Sequence, residues 1–76
     1  MARYFFHLHD GRDIPDGGGI DLPDMQAVRA QATKTAGQML LEAEGRFSGE
    51  EWRVEVANQA GQPVLTLRIS ATEHVR

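Results

Sequence analysis

Apolar and polar residues alternate from Arg3 to His9, with Tyr4, Phe6 and Leu8 on one side and Arg3, Phe5, His7 and His9 on the other. A period of two is strand geometry. Phe5 makes the second side partly apolar, as expected near the middle of a sheet. Asp10-Gly11 signals a turn, and residues 10–19 read as a loop, with Gly17–Gly19 supplying turns and Pro15 excluding helix. Ile20-Asp21-Leu22 predicts a short strand returning beside the first. The pattern then changes period. Met25, Val28, Ala32, Ala36, Met39 and Ala43 recur at helical spacing, widened by Leu40, and predict a helix over 24–44. Pro23 suits its first turn, Asp24 its N-cap or first turn, and Gly45 a left-handed stop. Thr33, Thr35 and Gly37 are weak helix formers, so packing on a sheet must supply most of its order. Residues 46–51 read as a linker, with Phe47 folded back onto the helix end. Trp52–Ala57 alternates again with Trp52, Val54 and Val56 inward. Asn58–Gly61 reads as a hairpin turn and Pro63 as the return. Val64–Ser70 alternates with Leu65, Leu67 and Ile69 inward.

These elements predict an α+β fold, a two-layer ββαββ domain over residues 1–70 with an antiparallel sheet in the order 2-1-3-4. Residues 71–76 are expected to fray. Strand 1 is then central. A single helix covers a single face. The opposite face carries Phe5, His7, His9, Arg53, Glu55, Thr66 and Arg68, with no cover expected from the chain itself.

Length and charge narrow the function. Seventy-six residues give one domain near the lower limit for an independent core, a size that favours self-association. There is no cysteine, which excludes disulfides, thiolate zinc sites and cysteine nucleophiles and leans towards a cytoplasmic location. No secretory leader and no apolar run long enough to span a bilayer is evident. The net charge of −3 arises in residues 1–24, where Asp10, Asp13, Asp16, Asp21 and Asp24 outnumber Arg3 and Arg12. An acidic chain without a basic run is poorly suited to nucleic acid or anionic membranes.

His7 and His9 form an H-x-H pair on one side of a strand, so both imidazoles can reach one metal ion, with Glu55 on a neighbouring strand as the third ligand. The bland alternative is two solvated histidines, and it is the expected one. The aspartate-rich loop lacks EF-hand spacing, and its Gly17–Leu22 segment matches one unit of a calcium repeat that works only in stacked copies. Its carboxylates are therefore expected in water. Phe5 with Arg53 and Arg68 resembles a stacking platform for single-stranded RNA, but one aromatic without a basic surround favours a protein contact instead. Ala27, Ala30, Lys34, Gly37 and Leu41 form a small-residue stripe on the rear of the helix. Ala30, Gly37 and Leu41 are its candidate contacts for a second helix, set against the ordinary occurrence of single exposed apolar residues. No nucleophile elbow, phosphate-cradling loop or H-E-x-x-H is present, so neither a cofactor nor a catalytic residue is expected.

Arg3-Tyr4-Phe5-Phe6-His7, His9-Asp10-Gly11, Leu22-Pro23-Asp24, Trp52–Val56 and Gly61–Thr66 together resemble a family of short uncharacterised bacterial proteins, a domain-of-unknown-function family, over nearly the whole chain. The resemblance implies a stand-alone cytoplasmic bacterial protein and assigns no activity or site residue. The strand, acidic turn and alanine-spaced helix are also similar to HicB-type antitoxins, which place three strands before the helix where this sequence predicts two. The expected function is a small non-catalytic interaction or regulatory domain that self-associates through the uncovered sheet face or the rear helix stripe. The alternatives are a metal- or small-ligand-binding module at His7 and His9, and an antitoxin-like partner-binding protein.

Overall fold

The computed structural model describes residues 1–47, 49 and 51–74. The expected linker contains Ser48 and Glu50, and the expected tail contains Val75 and Arg76; these lie outside the described residues.

The chain runs β1 (Ala2–His9), β2 (Asp13–Ile14), β3 (Ile20–Leu22), α1 (Met25–Ala43), β4 (Trp52–Ala57) and β5 (Pro63–Ile69). The class is α+β, with one helix on an antiparallel sheet in the order β2-β1-β4-β5 and β3 also pairing with β1. The expected four strands become five. The added β2 pairs with the C-terminal end of β1 through Leu8–Ile14 and His9–Asp13, and β3 pairs with its N-terminal end, from Ala2–Leu22 to Tyr4–Ile20. Between them, residues 15–19 bulge out opposite Phe5–His7. A two-residue bridge leaves no alternation to read, which is why the sequence showed only a loop there.

The helix begins where the cap requires. Asp24 is extended, and its Oδ1 accepts the Ala27 N–H at 2.8 Å, satisfying one of the free donors of the first turn. The left-handed stop falls one residue earlier than expected, on Glu44 with φ 52°, followed by Gly45 with φ 82°. Val28, Ala32 and Ala36 are buried against Phe6, Val54 and Val56. Small residues on the helix let it sit close to the sheet, and Val28, Val54 and Val56 are wholly inaccessible. Phe47 meets Trp52 edge-on at 5.8 Å, closing the helix end over the start of β4. The β4–β5 turn is built as expected. Asn58 O accepts the Gly61 N–H at 3.0 Å, and Gly61 has φ 80°.

The pairing register fixes the two faces. Tyr4, Phe6, Leu8, Val54, Val56, Leu65 and Leu67 face the helix. His7 lies beside Glu55, which lies beside Thr66, and His9 beside Arg53, which lies beside Arg68. The expected open face is therefore one continuous surface.

Candidate functional site

The open face has a shallow concavity of about 310 Å³ lined by His7, His9, Asp13, Ile14, Pro15 and Glu55. β1 presents the two histidines on one side, β4 presents Glu55 next to His7, and β2 brings Asp13 next to His9. Phe5, Arg53, Thr66 and Arg68 share the face but not this concavity. Arg68 pairs with Glu51 at 3.4 Å.

The two imidazoles are held in opposite states. His7 Nδ1 accepts the backbone N–H of Asp16 at 3.0 Å. A nitrogen that accepts carries no proton, so the proton of the neutral ring sits on Nε2. His9 Nδ1 hydrogen-bonds the Asp13 carboxylate. A carboxylate only accepts, so this Nδ1 carries a proton, and in the neutral ring Nε2 keeps its lone pair. His7 thus offers a donor and His9 an acceptor. Metal binding needs lone pairs on both, and His7 Nε2 would have to surrender its proton. Among the described residues, no group of three or more His, Asp or Glu side chains is placed to hold a metal ion.

Asp16 is the residue that the sequence did not single out. Its Oδ2 accepts the Phe6 N–H at 3.1 Å, and its Oδ1 accepts Gly18 N–H at 3.0 Å and Gly19 N–H at 3.1 Å. The carboxylate stands in for a strand residue at the gap between β2 and β3, so β2, Asp16 and β3 together line one edge of β1. Burial pushes this carboxyl up, but the N–H groups of Phe6, Gly19 and Gly18 outweigh it and leave the pKa lowered. The expected solvated acidic turn is corrected at Asp16, whose carboxylate is built into the loop, while the Asp13 side chain stays exposed to water. The available signal was Asp16 followed directly by three glycines, an arrangement in which a side-chain oxygen reaches N–H groups two and three residues on.

This loop also corrects the expected lack of cover. Gly19 has φ 73°, and a Cβ there would stand 2.9 Å from the Phe5 ring. Phe5 is half-buried, with glycine backbone lying against it. Arg3 fastens the same loop: Nη1 donates to Gly18 O at 2.8 Å, and the guanidinium bonds both oxygens of Asp21 at 3.0 and 3.1 Å. That hydrogen-bonded pairing holds the Asp21 carboxyl below its usual range and raises Arg3. The uncovered part of the face is thus centred on β4 and β5.

Of the rear helix stripe, Ala30, Lys34, Gly37 and Leu41 are exposed and Ala27 is half-buried. Leu41 is 72% accessible, and a Cβ on Gly37 would meet nothing within 4 Å. No described helix is long and apolar enough to cross a membrane.

A family model for DUF6894, a domain of unknown function, matches residues 3–70. The chain belongs to the DUF6894 family. The match runs from Arg3, which fastens the glycine loop, to Ser70 just past β5, and so takes in every element of the fold. Comparison with curated proteins and with solved structures gives no match. In this DUF6894 chain the functional reading therefore rests on the site itself.

Proposed function

We propose that this DUF6894 protein is a small, non-catalytic interaction domain that self-associates. The observation that carries the reading is the open sheet face, where β4 and β5 present Arg53, Glu55, Thr66 and Arg68 without a covering layer among the described residues. Two-layer domains usually bury one sheet face and leave the other to solvent or a partner. The rear helix stripe is the weaker surface, since Leu41 is its one large exposed apolar side chain. Light scattering at micromolar concentration tests the reading. The expected result is a mass above that of one chain, and a monomeric mass at every concentration removes it.

A second reading, a small-ligand or metal module, is favoured by the single concavity that gathers His7, His9, Asp13 and Glu55. On that reading zinc raises the melting temperature of the parent protein, and the His7→Ala/His9→Ala pair abolishes the rise. The proton on His7 Nε2 argues for the opposite outcome, no zinc-dependent rise in the parent, and we expect that result. The antitoxin-like reading gains one point: three strand segments, β1, β2 and β3, precede the helix rather than two.

A further inference from the structure

The two long edges of the sheet are treated differently. The β1 edge is closed by β2, by β3 and, in the gap between them, by the Asp16 carboxylate on the Phe6 N–H. β5 is the last strand on the other side and has no partner along its outer edge among the described residues. An unpaired strand of this length is a template for another strand unless something blunts it. The blunting features sit at one end. Pro63 opens the strand, and the pairing slips between Val56 and Ala57, leaving Val64 as an extra residue. Residues 65–69 beyond that point are regular.

The core also runs unfinished to this edge. Val54 and Val56 on β4 are fully buried, while their neighbours Leu67 and Leu65 on β5 are half-buried, as is Ile69. The helix lies against β4 and β5 alike, yet Leu65, Leu67 and Ile69 stay half-buried at the rim of the core. We propose that β5 pairs antiparallel with β5 of a second copy of this chain, about a two-fold axis at Leu67. This inference rests on the self-association reading and places its contact at the β5 edge rather than on the open face. The register places Leu65 across from Ile69 of the second copy and Leu67 across from its own counterpart, so the apolar row continues from one copy into the other. On the open face it places Thr66 across from Arg68 of the second copy, so no like charges meet. It uses all five regular residues, 65–69, and leaves the bulge at Val64 outside. The pairing joins both sheets edge to edge, with both helices on one side and one open face spanning the pair.

Charge at position 66 tests the register. Thr66 lies beside Glu55 within the chain, so Thr66→Lys gains an internal ion pair and does not threaten the fold. Between copies it sets lysine against Arg68 twice. Sedimentation or light scattering is expected to show the dimer weakened about tenfold by Thr66→Lys, and restored by adding Arg68→Glu. A dimer unchanged by Thr66→Lys but disrupted by Glu55→Lys overturns the edge contact and leaves self-association standing on the open face. A monomeric parent protein overturns self-association itself.

Discussion

Replacing Asp16 with alanine is expected to lower stability by about 2 kcal/mol, because a charged acceptor serving three backbone donors is lost and at least one donor, the Phe6 N–H, has no strand to take its place. For a domain of this size that is a fall of about 8–16 °C in melting temperature, readable by calorimetry. Asp16→Asn keeps one acceptor oxygen and should fall between. The effect carries a pH signature. The folded carboxyl lies below its ordinary value of 3.8. Its contribution is therefore complete above that value and is lost as the pH falls through the folded value. The parent's advantage over Asp16→Ala should be constant near neutrality and shrink in acid. Asp21, held down by Arg3, titrates in the same direction, but it does so in both proteins and cancels in the difference. A difference that stays flat into strong acid would show that the carboxylate charge is not what holds the loop.

The elements with a repeating pattern were legible, and the ones without it were not. Tyr4, Phe6 and Leu8 against Val54 and Val56 are a two-residue period on adjacent strands, and Val28, Ala32 and Ala36 are a helical one. Burial imposes those periods, so they survive in the sequence. The N-cap at Asp24 and the turn at Gly61 were legible because few residue types serve there. β2 has two residues and no period. Asp16 looked like the other aspartates of its loop because its role comes from where a bulge places it across from Phe6. The histidine pair was legible as a pair, since residues two apart on a strand share a face. The tautomers were not, because His7 is set by a backbone N–H nine residues away, supplied by the same bulge. The open face was correctly composed but too broadly drawn. Its β1 end is overlain by glycine, and glycine offers no hydrophobic signal by which a sequence could announce that cover.

Gly19→Ala is expected to cost about 2–4 kcal/mol, from a left-handed backbone strained by any Cβ together with a collision that cannot relax cheaply. The added carbon would lie 2.8 Å from Arg3 Cγ, 2.9 Å from the Phe5 ring and 3.0 Å from the Tyr4 carbonyl oxygen. The arginine can move, but the carbonyl belongs to β1 and is fixed by the sheet. The loop would have to lift, which would break the Asp16 bond to Phe6 and withdraw the Asp16 N–H from His7. Gly17 is the matched control, since a Cβ there meets nothing within 4 Å and its φ is not positive. Gly17→Ala should be neutral or slightly stabilising, by up to about 1 kcal/mol. Thermal melts of the two variants settle whether the loop is closely packed or merely glycine-rich. Equal, small effects would mean that Gly19 does not lie on the Phe5 ring. A loss at Gly19 well beyond the ~1–2 kcal/mol that a left-handed backbone alone costs would mean that the chain packs backbone against the Phe5 part of its open face. The His7 ring would then stay fastened by the same loop that covers its neighbour Phe5.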